Sequence, residues 1–298
     1  MDTPRLDALD VPDLDGSTAF VTGTTRGIGK EIALALAEAG ANVVSTGKTV
    51  DDTDSELSGT IHQTAEQCRE LGVDSLALQL DVREEAAVEA AAEAAIEEFG
   101  TVDIVINNAS AIQLANVADL PAKRFDLLTD VNVRGTYLVS RAFLPHLREQ
   151  DGAWLLSNAP PITTDRAPGK AAYGWSKLGM SFVTLSLAQE LAAHDVGCNS
   201  FWPVTAIDTR ATRYFGLGTE ENWRHPRIVA DTVLQILSRD PAAFTGNAVY
   251  DEEILREAGV ESFEPYNLTP GDPVPRSAQM FDDGFTREFD DGVAGDDD

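Results

Sequence analysis

The sequence predicts an α/β fold: a single doubly wound domain of about seven parallel strands with helices on both faces. Three observations predict it. Apolar, β-branched runs alternate with amphipathic helical stretches along most of the 298 residues. A glycine-rich turn joins the first of those runs to the first helix. No stretch rich in Pro, Gly or Ser divides the chain, and no internal repeat breaks the alternation.

The elements follow in order. TAFVTG (18–23) is the first strand, and a glycine-rich turn after it opens a helix over 27–39. ANVVSTG (41–47) is the second, backed by a helix over 62–71. SLALQLDV (75–82) is the third, followed by an Ala- and Glu-rich helix over 84–98. VDIVINNA (102–109) is the fourth, and a long helical pattern fills 122–149. AWLLSN (153–158) leads into a helix over 169–194. VGCNSFWP (196–203), a helix over 227–238 and NAVYD (247–251) complete the series. Near-continuous apolar strands need cover on both faces, as a parallel sheet provides. The domain is expected to occupy 1–281, with the acidic, mostly polar stretch 282–298 as a flexible tail.

Fifty acidic residues face 22 basic ones, a net charge of −28. Only five of the bases are Lys. That balance excludes the basic face that nucleic-acid phosphates require. It admits two explanations: an ordinary acidic protein, or one adapted to a salt-rich cytosol that screens self-repulsion. No apolar run reaches the roughly 18 residues of a membrane span, so no membrane partner is expected. The N-terminal MDTPRLDALDVPDLDG lacks the basic and apolar regions of a signal peptide. Cys68 and Cys198 make no disulfide framework, and a cytoplasmic location is expected.

Gly23, Gly27 and Gly29 are spaced by four and two between a strand and a helix. Such a turn lets the backbone approach a pyrophosphate closely and aims free helical N–H groups at it, as in a Rossmann-type dinucleotide site. The alternative is an ordinary strand–helix turn. The second strand ends STGKTV, with no acid before Asp51 to hold a ribose hydroxyl. Arg26 and Lys48 bracket that position and suit a 2′-phosphate, unless both are solvated surface charges. The expected cofactor is therefore NADP(H), with NAD(H) as the alternative.

Tyr173 and Lys177 lie one helical turn apart on one face. A free Tyr ionises near pH 10, about three units too high for neutral acid–base work. A neighbouring ammonium lowers that value. Tyr173 then gives or takes a proton while a nicotinamide gives or takes hydride.

TGTTRGIG, INNAS, DVNVRG and YGWSK, in that order, make the chain resemble the short-chain dehydrogenase/reductase family over roughly residues 16–260. Within it the chain is most similar to the hydroxysteroid dehydrogenase-like protein 2 branch, on stretches such as STGKTV, INNASAIQL, WPVTAIDT and PYNLTPGDPVP. Members of that branch with an added sterol-carrier domain exist, and this chain has no room for one. The resemblance implies that Thr22, Gly23, Gly27, Ile28 and Gly29 hold pyrophosphate, with Asp81 and Val82 beside the adenine. It implies that Asn107 and Ala109 line the cofactor cleft. It gives Asn132 a water that links Lys177 to solvent, and sets Pro203, Ile207 and Thr209 beside the nicotinamide. Thr205 competes with Thr209 for the carboxamide, because the WPVTAIDT loop departs from the family's shorter pattern. Asn132 also reads as a satisfied helix amide, and Asp81 as a strand-end cap.

The family's catalytic Ser is missing. Thirteen residues before Tyr173 stands Pro160, and the branch's alternative place, just before Pro-Pro, holds Ala159. Ser157 is the remaining catalytic candidate, but two strand residues set it back by about 6.6 Å. It serves only if the strand breaks. Asn158, Thr163, Thr164, or no hydroxyl at all, are the other options.

The expected activity is an oxidoreductase that transfers hydride between nicotinamide and a carbonyl or alcohol, with Tyr173 as general acid–base. The alternative is a cofactor-binding, weakly active or regulatory relative. Tyr214, Phe215, Leu217 and Trp223, with Trp202 nearby, point to a moderately apolar small-molecule substrate under a lid over 210–226. Apolar faces on the long helices suit a homodimer or homotetramer. No metal is expected.

Overall fold

The computed structural model describes residues 4, 6, 9–51, 58–162 and 169–270. The expected tail over 282–298, and Thr163 and Thr164, lie outside the described residues.

The chain runs β1 (Thr18–Thr22), α1 (Gly27–Glu38), β2 (Asn42–Gly47), α2 (Ile61–Glu70), β3 (Ser75–Gln79), α3 (Glu85–Phe99) and β4 (Ile104–Asn107). It continues through α4 (Ala122–Leu128), a π-helical segment (Thr129–Arg134), α5 (Gly135–Leu147), β5 (Ala153–Asn158), α6 (Ala171–Glu190) and β6 (Val196–Trp202). Then come β7 (Ala206–Ile207), α7 (Arg210–Tyr214), β8 (Trp223–Arg224), α8 (Arg227–Leu237), β9 (Ala248–Tyr250) and α9 (Asp251–Glu257). Seven strands form one sheet in the order β3-β2-β1-β4-β5-β6-β9, every pair parallel. β7 and β8 form a separate parallel pair.

Alternation along each strand sorts side chains to the two faces. Val21, Val43, Ile106 and Leu156 pack beneath α1, α8 and α9. Phe20, Val44, Val105 and Leu155 pack beneath α3, α5 and α6. On that second face the rings of Phe20 and Phe143 meet at 4.7 Å between centroids.

All seven expected strands and six helical stretches are present. Three features differ. The helical run over 122–149 contains a π-helical segment, within which Asn132 is completely buried. The short α7 and α9, and the β7–β8 pair, carry too few residues for periodicity to reveal. Among the described residues no helix is long and apolar enough to cross a membrane.

The strand order reverses between β1 and β4. In open sheets of this kind a crevice forms at that switch, beyond the strands' carboxyl ends. Gly23, Lys48, Asp81, Asn108, Asn158 and Pro203 all follow or end strands at this edge.

Candidate active site and cofactor cleft

Two cavities adjoin at the switch. A cleft of about 360 Å³ is lined by Gly23, Arg26, Gly27, Ile28, Gly29, Lys48, Asp81, Val82 and Ala109. A smaller cavity of about 190 Å³ is lined by Tyr173, Lys177, Asn158, Pro203, Thr205 and Ile207. Ile28, Asn108, Ser110, Thr209 and Ala211 border both, so the two are continuous.

The cleft is built for close backbone approach. A Cβ at Gly29 would sit 2.3 Å from the Gly23 carbonyl oxygen and 2.3 Å from Asn108 Nδ2. Gly23 adopts φ +76°, and a Cβ there would lie 2.9 Å from the Ala109 backbone. The first turn of α1 carries no acid, so its N–H groups face no competing carboxylate. The cations at the far end are partly engaged. Arg26 Nη2 donates to Thr49 Oγ1 at 3.1 Å. Asp81 accepts from Arg83 Nε at 2.9 Å and pairs with Lys48 at 3.3 Å. The Arg83 hydrogen bond, more than Lys48, holds the Asp81 carboxyl well below the usual carboxylate range. Arg83 is a third cation at this end, and no motif announced it.

Tyr173 and Lys177 share one face of α6, as the spacing predicts. Lys177 is buried, its Nζ donating to the Asn158 carbonyl oxygen at 2.6 Å and lying 5.2 Å from the Trp202 ring centre. Burial pushes its ammonium down to about 7. Burial also pushes the Tyr173 phenol up, and a hydrogen bond with the Ser110 side chain opposes that rise. The expected depression of Tyr173 by Lys177 is thus corrected for this state: desolvation dominates, and the ammonium is turned toward the end of β5.

Four expected site residues lie off the cavity walls. Thr22 is buried and accepts from Asn108 N at 2.9 Å and Ala109 N at 3.0 Å, so it pins the β4 loop. Asn107 faces α5, donating to Ser140 Oγ at 3.1 Å, and its neighbour Asn108 lines the cleft instead. Asn132 exchanges bonds with the backbone of Ala111, 2.7 Å to its N and 3.0 Å to its O, and donates to Ser176 Oγ at 2.8 Å. Its bonds tie the β4 loop to α6 rather than reach Lys177.

Ser157 is fully buried, 2.6 Å from Thr184 Oγ1. The single Thr184 proton goes to the Met180 carbonyl at 2.9 Å, so Ser157 is the donor to Thr184. β5 stays regular through Asn158, paired with β6 at both residues, so no break brings Ser157 forward.

Thr209 and Thr205 divide along the same logic. Thr212 donates to the Ile207 carbonyl at 2.7 Å, so Thr209 Oγ1 must donate to Thr212, 2.8 Å away. Thr205 Oγ1 is buried with no partner among the described residues, on the wall of the smaller cavity. That orphan hydroxyl, the glycine cradle and the acid-free helix start fit a nicotinamide dinucleotide spanning both cavities. Of the apolar side chains expected around a lid, Trp202 and Leu217 reach the smaller cavity. Trp223 instead donates to the Leu217 carbonyl at 2.8 Å, and the rings of the exposed Tyr214 and Phe215 meet edge to face at 5.1 Å.

The doubly wound sheet thus carries a glycine cradle at its switch and a Tyr–Lys pair on the facing helix. The chain belongs to the short chain dehydrogenase family, whose model matches residues 17–217. It is 44% identical to hydroxysteroid dehydrogenase-like protein 2 from Homo sapiens over 264 residues, 88% of this chain and 62% of that protein. The chain thus spans about three fifths of the length of the curated relatives it matches. A crystal structure from Xanthomonas campestris superposes with a TM-score of 0.85 at 39% identity, covering 90% of this chain and 99% of the other. A short chain dehydrogenase from Burkholderia cenocepacia, solved in complex with NADP, matches with a TM-score of 0.69 at 26% identity over 80% of this chain and 97% of its own.

Proposed function

We propose that the chain is an NADP(H)-dependent oxidoreductase that interconverts a carbonyl and an alcohol. The carrying observation is the placement of Tyr173 and Lys177 in a cavity continuous with the glycine cradle. Support for NADP(H) comes from Arg26 and Lys48 on the cleft wall, at the end where an adenosine ribose would lie, and from Asp81, which is already paired to Lys48 and to Arg83 beside the cleft. The NADP complex of the Burkholderia cenocepacia relative supports the same choice.

When bound, the reduced nicotinamide supplies a hydride, two electrons with one hydrogen nucleus, to the carbonyl carbon. Tyr173 donates its proton to the carbonyl oxygen, which takes the electron pair of the broken π bond. Lys177, whose ammonium loses its proton near neutral pH, would return a proton to the phenolate once it turns from the Asn158 carbonyl into the shared cavity. Thr205 offers its orphan hydroxyl to the carboxamide, and the walls around Trp202, Ile112 and Leu217 suit a moderately apolar substrate. A homo-oligomer, a cytoplasmic location and adaptation to a salt-rich cytosol complete the proposal.

The test is titration with NADPH and NADH, then turnover on an aldehyde and ketone panel. NADPH should bind at least about tenfold tighter, the worth of one good charged contact. Tyr173→Phe should lower kcat by about 10²–10⁴-fold, the usual share of a general acid, with NADPH affinity kept. A second reading, a cofactor binder with little turnover, draws on Ala159 standing where the family's hydroxyl is expected. Tight NADPH binding without turnover would favour it.

A further inference from the structure

The geometry points to Ser110 as the hydroxyl that replaces the one absent at Ala159: with Tyr173 it forms a two-donor clamp on the substrate oxygen. This rests on the oxidoreductase reading above.

Elimination leads there. Ala159 has no hydroxyl, and Ser157 spends its only proton on Thr184 under α6. Asn158 reaches the catalytic cavity, but its amide is oriented by Asn108. Asn108 Nδ2 donates to the Thr22 carbonyl at 3.0 Å, so its Oδ1 accepts from Asn158 Nδ2, also at 3.0 Å. What Asn158 keeps unpartnered is a buried acceptor, Oδ1, which cannot polarise a carbonyl. Ser110 remains. It lines the catalytic cavity together with Tyr173, and it also borders the cofactor cleft. Its side chain also opposes the rise that burial imposes on the Tyr173 phenol, in keeping with two hydroxyls on one cavity wall.

Ser110 is an exposed residue, and its hydroxyl bond to the Ala111 carbonyl is long at 3.3 Å. It can rotate to a ligand at little cost. Its backbone is held from both sides. Thr22 fixes Asn108 and Ala109, and the Asn132 amide fixes Ala111. Asn132 also holds Ser176, which donates to the Tyr173 carbonyl at 2.8 Å. One buried amide therefore sets the spacing between the segments that carry the two hydroxyls, and Asn132 is a positioning residue. In the reaction Ser110 keeps its proton; Tyr173 alone transfers one.

The test compares Ser110→Ala, Ser157→Ala and Tyr173→Phe in NADPH-dependent reduction of 4-nitrobenzaldehyde. NMR of the protein with 13Cζ-labelled tyrosine, Tyr173 assigned by its Phe variant, runs beside it. Ser110→Ala should cut kcat about 100-fold, the loss typical of one oxyanion donor, with NADPH affinity unchanged. It should also shift the Tyr173 13Cζ resonance, and Ser110→Thr should restore both. Loss with Ser157→Ala as large as with Ser110→Ala would overturn the inference, as would an active Ser110→Ala beside an inactive Tyr173→Phe. If the native chain turns nothing over, or Tyr173→Phe changes nothing, the oxidoreductase reading itself fails. The resonance then still decides whether the two hydroxyls are paired, and an unmoved Tyr173 signal overturns the pairing.

Discussion

Single protons decide the chemistry of several residues here. A hydroxyl has one, and following it separates free donors from spent ones. Ser157 and Thr209 are spent on neighbouring hydroxyls, Ser110 donates only through a long bond to the Ala111 carbonyl, and Thr205 has no partner among the described residues. The Thr205 case gives a signed prediction. A buried polar atom without a partner costs about 1–3 kcal/mol, so Thr205→Val should leave the cofactor-free melting temperature unchanged or raised. The same change should weaken NADPH binding about tenfold, the worth of one hydrogen bond of about 1.4 kcal/mol. Thermal melting with and without NADPH reads both. A Thr205→Val protein that binds NADPH as the native chain does would return the carboxamide to Thr209.

At the scale of elements, the loop between β6 and α7 is held from behind by α9. Asp251 Oδ1 accepts from Val204 N at 3.0 Å and from Glu252 N at 2.8 Å, and its Oδ2 is buried without a partner among the described residues. Burial pushes this carboxyl up to about 7, against the pull of Arg224. A carboxyl raised in the folded state favours folding while it is protonated. Its contribution is full below the unfolded value of 3.8 and is lost as pH rises through about 7. Asp251→Asn should therefore flatten the stability profile between those limits and raise stability at pH 8, by at most about 4 kcal/mol. Denaturant unfolding at pH 5 and pH 8 measures it. Equal pH dependence in the two proteins would show that Asp251 stays ionised.

The same loop shows what the sequence could and could not disclose. Strand runs, the glycine spacing and the four-residue Tyr–Lys step are local patterns, and each element they predict is present. Ser110 and Thr205 carry no such signature. Their significance lies in which neighbouring hydroxyls have spent their protons, and that depends on Thr184 and Thr212 across the packing. Asn132 was picked out by DVNVRG, but a motif cannot say what its amide touches. The π-helical turn that buries it and the Ala111 backbone it holds come from separate elements.

For the whole molecule, charge and the apolar face of α6 act together. One-to-one pairing of 22 bases with 50 acids leaves 28 carboxylates unmatched. Glu85, Glu89, Glu93 and Glu97 rise along exposed α3 at four-residue steps. Of that ladder only Glu85 and Glu89 meet arginines among the described residues. Like charges at that spacing each cost about 0.2–0.5 kcal/mol. Summed over a surface this acidic, the repulsion reaches a few kcal/mol in dilute buffer, where the Debye length is about 30 Å, and fades at about 1 M salt, where it is about 3 Å. Phe182 and Trp175 stand 66% and 48% exposed one heptad apart on α6, beside Phe125, whose ring lies 5.5 Å from that of Trp175. Two copies meeting there bury apolar area but bring two strongly negative bodies together. Stability and association should therefore rise with salt in step. Molar KCl should raise the melting temperature by about 10 °C over dilute buffer, given about 2–4 °C per kcal/mol for a domain this size. Sedimentation should show a dimer or tetramer in molar KCl and a shift toward monomer in dilute buffer, with Phe182→Glu monomeric in both. Equal melting in the two buffers would remove the salt-adaptation reading, and an unchanged assembly of Phe182→Glu would move the interface off α6.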